Sequence, residues 1–312
     1  VQINNDRILE AVLSTNCSPL AMQEGAALVD NWVNDERDFD DEILAVEVGF
    51  SVQVDELTWV IGVQDLICAD AKGVYGREHK TTKEPGRYWS EQKWLEEIKS
   101  GPQIAVYALA LSKGVFYENG QPFVLNVPTP VRERVRAVVK IPSPLFWPEN
   151  VRNSWQEFDD LSLERVSNAF VVKAEGIRTA RRSGLVPWQL TGRQCTDFNR
   201  LCGYFDECSR GVLPESASGF DGRDPAAKFA LPFLPDEARG DEAVILSASS
   251  YASYSRCMEL GRRDAMSGGK EESLALEIGT VVHSGCAEFY RQLKEQQHVK
   301  NAALSGSILG KG

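Results

Sequence analysis

The 312-residue chain contains no apolar run close to the length that spans a bilayer, about 20 residues, and no N-terminal secretion pattern. No membrane association is expected, and the expected setting is the cytoplasm. Basic charge is in deficit. With 34 Lys and Arg against 45 Asp and Glu, the net charge is −11, which argues against nucleic-acid binding by bulk charge but leaves room for a locally basic groove. Internal repeats and low-complexity tracts are absent. The first residue is Val rather than Met, as expected of a fragment or of a chain without a disordered start. What is present is ordinary for a globular protein: 43% hydrophobic and 25% charged residues, enough chain to bury one large domain or a domain with an appendage.

The most informative stretch is a pair of β-prone runs, Trp59 to Cys68 and Val74 to Lys80, separated by the turn-rich Ala69-Asp70-Ala71-Lys72-Gly73. A third β-prone run, Ile43 to Val54, precedes them. Side chains alternate across a strand, so Glu78 and Lys80 share one face, His79 takes the other, and Asp65 can lie opposite. Two carboxylates and a lysine at one sheet edge suit a divalent cation and the activation of a water; the plain alternative is a surface hairpin with an i,i+2 Glu/Lys pair. Glu47, in the first run, can reach such a metal, although a cross-strand ion pair is the favoured role. Gly101 to Leu111 reads as an apolar helix with Gln103 and Tyr107 on one face, stopped at Lys113-Gly114.

Taken in order, Gly62-x-x-Asp65, Glu78-x-Lys80-Thr81 and Gln103-x-x-x-Tyr107 resemble the RecB-like branch of the PD-(D/E)XK nucleases, and Gly279-Thr280-Val281-Val282-His283 resembles that branch's Gly-x-x-x-His motif. The resemblance implies an α/β fold with a restriction-endonuclease-like core, a mixed central sheet flanked by helices. It implies a Mg- or Mn-dependent deoxyribonuclease acting on DNA, most like a phage exonuclease, with a helicase or recombination partner left open. Asp65, Glu78, the carbonyl of His79 and His283 would hold the metal. Lys80 would position the attacking water or neutralise developing charge, and Gln103 and Tyr107 would orient Lys80 or touch the nucleic-acid backbone. The rival readings are a catalytically inactive DNA- or protein-binding module of this fold and a zinc-stabilised structural protein.

Seven cysteines are unevenly placed. Cys195, Cys202 and Cys208 cluster, Cys257 lies further on, and Cys17, Cys68 and Cys286 are scattered. Without a secretion signal, a metal site is a better expectation than a disulfide framework. The spacing is wider than zinc knuckles favour, and no histidine lies nearby, which favours an iron–sulfur cluster over zinc. The family resemblance points the same way, to a 4Fe–4S cluster held by these four residues. In the family the Gly-x-x-x-His and remote cysteine motifs come first, whereas here they follow the Asp and Glu-x-Lys motifs. Circular permutation, a second nuclease beginning, and segments joined out of order all remain open, with one composite site favoured.

The expected division is a nuclease core over 1–190, a Cys-rich loop over 191–210, an irregular connector over 211–244, and a helical segment over 245–312 packed on the same core. Within the core, helices are expected from Asn5 to Val12 and from Ser18 onward. The acidic run Asp35 to Glu42 reads as a loop, Pro122 to Val127 and Val131 to Ile141 as strands, and Ser154 to Arg182 as one long helix. Thr280 is expected to cap a helix running to about Gln296. Arg132, Arg134 and Arg136 on one strand face, and Arg178, Arg181 and Arg182 at a helix end, read either as a basic groove or as solvated faces.

Overall fold

Three long strands carry the architecture. β1 (Glu42–Asp55), β2 (Thr58–Asp70) and β3 (Gly73–Thr82) form an antiparallel meander. The structure is a computed structural model describing residues 3–36, 39–82, 96, 101–139, 151–183, 196–197, 200–201, 243–256 and 274–309. The four clustered or remote cysteines, Cys195, Cys202, Cys208 and Cys257, and nearly all of the 211–244 connector lie outside these residues. Ahead of the meander come α1 (Asn5–Leu13) and α2 (Pro19–Asp35). Each starts where local chemistry dictates: Asn4 Oδ1 accepts the backbone N–H of Asp6, and Ser18 caps α2 just before Pro19, which needs no hydrogen-bonded N–H.

After β3 the chain forms α3 (Pro102–Lys113), β4 (Val115–Glu118), β5 (Gln121–Val124), β6 (Val131–Val139), β7 (Val151–Phe158) and α4 (Asp160–Ser183). A two-residue ladder pairs β8 (Thr196–Asp197) with β9 (Arg200–Leu201). Beyond them lie β10 (Val244–Leu246), α5 (Ala248–Arg256) and α6 (Leu274–Leu309). The main sheet runs β5-β4-β1-β2-β3-β6-β7, with β10 paired to β2. It is mixed: β3 with β6 and β10 with β2 are parallel, and the other pairs are antiparallel.

Apolar residues fill both faces of the sheet. One core joins Val48, Phe50, Val60 and Ile67 to Ile104 and Leu111 of α3 and Phe170 of α4. The other joins Ile43, Leu66 and Cys68 to Trp32 of α2 and to Val281, Cys286 and Phe289 of α6. Small residues let α2 and α6 approach closely. A Cβ added at Gly25 would come within 2.3 Å of Val281, and one at Gly285 within 2.7 Å of Val29, so each helix offers the other a glycine notch for a valine. Beneath this contact Tyr290 accepts a hydrogen bond from Trp32 Nε1 at 3.0 Å and donates to Glu36 at 3.0 Å, while Glu36 pairs with Arg77 and Arg136.

Several expectations are corrected. Residues 154–158 belong to β7, not to a helix from Ser154. Their backbone completes the ladder with β6, and Asp159 starts α4 by accepting the N–H of Ser162 at 2.8 Å. Thr280 does not cap α6, because the helix already runs from Leu274, where the apolar face continues through Ile278. β4 and β10 went unread, although Asn119-Gly120, with φ of 53° and 77°, is a strong two-residue hairpin signal. The basic stripes are only partly solvated: Arg181 and Arg182 are exposed at the end of α4 and Arg134 is half-buried, whereas the other arginines turn inward. Arg136 and Arg178 are buried, Arg132 forms two bonds to Asp70, Arg178 reaches Thr58 and Glu175, and Arg181 bonds the carbonyl of Ala243.

Candidate active site

Regular strands keep residues two apart on one face, yet Val46 packs with the α2/α6 core and Val48 with the α3/α4 core. β1 turns over at Glu47, whose φ of 49° is the left-handed value seldom adopted by a residue with a long side chain. β2 turns over at the same level: Val60 and Leu66, an even number apart, lie on opposite cores. The pairs Val46–Leu66 and Val48–Gln64 flank the switch, so Glu47 and Asp65 stand side by side where both strands change face. α6 brings His283 to the same place. Its Nδ1 lies 3.6 Å from Asp65 Oδ1 and 3.8 Å from Glu47 Oε1, and one ligand atom from each of the three residues lies within 4.8 Å of the other two.

β3 supplies the rest. Glu78 and Lys80 share a face and form an ion pair. Gln103 ties them to α3: its Oε1 accepts from Lys80 Nζ at 2.7 Å, and its Nε2 donates to Glu78 Oε1 at 2.9 Å and to the Tyr107 hydroxyl at 2.7 Å. The i,i+4 spacing of Gln103 and Tyr107 thus becomes a brace. His79 points the other way, stacked on Tyr290 at 5.3 Å and edge-on to Trp32 at 4.5 Å. Its backbone N–H donates to Asp65 Oδ2 at 2.8 Å, which fixes that carboxylate.

The electrostatics are those of crowded, desolvated carboxylates. Burial raises the pKa of Asp65, partly opposed by His283, and burial together with the charge of Asp65 pushes Glu78 up to about 8. Burial alone would lower His283, but Asp65 and Glu47 outweigh it and lift the imidazole to about 9. Burial, then the cations Arg77 and His283, holds the His79 ring well below its usual range, and so neutral.

These residues fit a hard divalent cation. Glu78 is 1% exposed, and its Oε2 has no hydrogen-bond partner among the described residues; a buried carboxylate oxygen in that state is a ready metal ligand. Carboxylate oxygens, the majority donors here, suit Mg or Mn, and the single imidazole is a softer addition to them. Residues 20–206 match the family model of the PD-(D/E)XK nuclease superfamily. The chain belongs to that superfamily. No curated protein and no solved structure matches it.

Superfamily members are generally metal-dependent nucleases, and the segment defining this one holds Glu47, Asp65, Glu78, Lys80, Gln103 and Tyr107. His283 lies beyond it in sequence but beside it in space. Among the described residues Glu47 makes no cross-strand ion pair; its partner is His283. The sequence reading also missed Gln64 and Glu133, both fully buried, with Gln64 Nε2 3.2 Å from each Glu133 carboxylate oxygen. Gly76 makes room for them, since a Cβ there would sit 2.0 Å from Gln64 Nε2 and 2.3 Å from Glu133 Oε2. Burial raises Glu133 well above the usual carboxylate range. Alternation held half of the clue, since it sets Glu133 opposite Arg132 and Arg134; the parallel register that pairs Glu133 with Gly76 makes this the face of Glu78.

Proposed function

We propose that this protein is a Mg- or Mn-dependent deoxyribonuclease of the RecB-like branch, acting as an exonuclease in DNA processing or recombination. The observation that carries the reading is the contact of His283 with Asp65 together with the Glu78–Lys80 ion pair that Gln103 bridges, the two pairs being close enough for Asp65 and His283 to act on the charge of Glu78. The RecB-like assignment draws support from His283: its Gly-x-x-x-His motif, far away in sequence, comes to the carboxylates through α6.

A bound divalent cation would supply a water acidic enough to attack near neutral pH and would offset charge on the phosphate oxygens. Asp65, Glu78 and His283, with the carbonyl of His79, would hold it. The remaining roles belong to the chain's own groups. Lys80 Nζ, fixed by Gln103, places a positive charge where the attacking water and the phosphoryl oxygens meet, and a preorganised charge of that kind lowers the barrier without reorganising. Gln103 and Tyr107 hold Lys80 in place. The His79 N–H keeps Asp65 Oδ2 occupied and so turns Oδ1 toward His283.

The proposal includes a structural 4Fe–4S cluster on Cys195, Cys202, Cys208 and Cys257, supported by the cysteine spacing and by the resemblance to the RecB-like branch. The test is digestion of end-labelled DNA in EDTA, Mg²⁺ or Mn²⁺, with Asp65→Ala and Lys80→Ala as paired variants. Release of short labelled products only with metal, and a loss of about 10²–10³ or more in rate for each variant, is the expected result. Metal-independent cleavage, or wild-type rates in both variants, would overturn the assignment.

A further inference from the structure

We propose that Tyr290 is a positioning residue for the site, through which α6 governs both carboxylate oxygens of Asp65. Oδ1 is met directly by His283, and Oδ2 at one remove, through the ring of Tyr290 and the residue it stacks on, His79. This rests on the metal-dependent nuclease reading and deepens it, because it extends the site into the core beneath α2 and α6. His283 and Tyr290 lie seven residues apart, about two helical turns, so both leave α6 on nearly the same side. His283 Nδ1 is 3.6 Å from Asp65 Oδ1. The Tyr290 ring lies parallel to the His79 imidazole, with 2° between the planes and 5.3 Å between the centroids.

The ring matters because of how His79 is held. The ladder between β2 and β3 ends at Leu66–Arg77. Past that point the His79 N–H goes to Asp65 Oδ2 at 2.8 Å, a side chain in the place of a strand partner. The imidazole itself is 3% exposed, and its Nε2 has no hydrogen-bond partner among the described residues. Aromatic contact fixes it instead, with Tyr290 on its face and Trp32 edge-on at 4.5 Å. Tyr290 is held in its turn. Its hydroxyl accepts from Trp32 Nε1 and donates to Glu36, each at 3.0 Å, and Glu36 is paired with Arg77 of β3 and Arg136 of β6. The floor under His79 is therefore tied to the same two strands that it supports. An aliphatic side chain at 290 could fill the volume, but it would supply neither the flat face for the imidazole nor the hydroxyl between Trp32 and Glu36.

The test reads geometry and metal binding separately in the full chain. Hydrogen exchange of the His79 amide, relative to the amides of β6, is followed by nuclear magnetic resonance in EDTA, and Mn²⁺ affinity by calorimetric titration. Tyr290→Leu is expected to speed exchange at His79 and to weaken Mn²⁺ binding by about tenfold or more, as losing an outer support of a metal ligand does. Tyr290→Phe keeps the stacking face and should recover most of both. Phe289→Leu, a fully buried change on the same helix whose ring contacts Tyr290, should lower the melting temperature and leave both readings unaltered. Tyr290→Met, with a flexible chain that fills irregular gaps, replaces Tyr290→Leu if that variant does not fold. Unchanged exchange at His79 and unchanged Mn²⁺ affinity in the folded variant would overturn the proposal. Equal losses in Phe289→Leu would overturn it too, since they would mean a general loosening of the core. No Mn²⁺ binding by the unaltered protein would overturn the nuclease reading instead, and exchange at His79 would still decide the role of Tyr290.

Discussion

Replacing Glu78 with Gln is expected to stabilise the metal-free protein at alkaline pH while destroying its activity. The Glu78 carboxyl is 1% exposed, and burial with the neighbouring Asp65 charge lifts it from an ordinary 4.5 to about 8. Between those values the folded chain keeps a proton that the unfolded chain has released, so stability falls as pH rises from about 4.5 to about 8. Each tenfold change in proton affinity is worth about 1.4 kcal/mol, which sets a ceiling of about 5 kcal/mol. Water entering the site relaxes part of that penalty, and about 2–3 kcal/mol is the expected share. His283 contributes with its own sign: raised to about 9, it lends stability that is full below about 6.5 and lost as pH passes about 9. Glu78 is the smallest contributor to that rise, behind Asp65 and Glu47, so most of it is common to both proteins and cancels in their difference. At roughly 2 °C per kcal/mol for a chain of this size, the melting temperature of Glu78→Gln minus that of the unaltered protein should grow by about 4–6 °C between pH 5 and pH 8.5 in EDTA. Saturating Mn²⁺ should reverse the order at pH 8.5, because binding stabilises the unaltered protein more. Melting curves that run parallel with pH, or a variant less stable at pH 8.5 in EDTA, would mean that Lys80 and Gln103 stabilise ionised Glu78 more than burial penalises it.

Gly76→Ala forces a methyl into the Gln64–Glu133 pair and is expected to cost about 1–3 kcal/mol, read by urea denaturation; an unchanged midpoint would show that the pair can part freely. His283→Ala should weaken Mn²⁺ binding by at least about tenfold in a calorimetric titration while leaving circular dichroism intact, since His283 is one-third exposed and packs little of the core. Cys202→Ser should remove the visible absorption band of an iron–sulfur cluster and lower the melting temperature; stoichiometric zinc without iron in the unaltered protein would refute the cluster.

The parts of the site written in local spacing were legible. Glu78-x-Lys80 gave its shared face through strand alternation, and Gln103-x-x-x-Tyr107 its brace through helical periodicity, because each depends only on backbone repeat and not on what packs against it. Helix starts were legible for the same reason at Ser18-Pro19, where capping chemistry is local. What failed was whatever depended on a partner distant in sequence. Residues 154–158 carry apolar spacing compatible with a helix, and only the β6 edge decides that Trp155 and Phe158 lie on a strand. Arg136 and Arg178 look like surface charge until Glu36, Thr58 and Glu175 close around them.

Glu47 shows the limit most sharply, and also why the site lies where it does. A period-two pattern presumes that a strand keeps its faces, and β1 and β2 break that presumption together. The double turnover removes Glu47 and Asp65 from both cores at one level of the sheet, and this frees two carboxylates to share a place that α6 can reach from one side and β3 with α3 from the other. Had only one strand turned over, the second carboxylate would have been committed to a core face, and His283 would meet one acid rather than two. The glycine notches at Gly25 and Gly285 complete the logic: they set how close α6 comes to α2, and His283 lies between Val281 and Gly285, the two α6 residues seated in that contact. The centre is thus fixed by backbone irregularity in the sheet and by helix packing above it, neither of which leaves a periodic signature in the sequence.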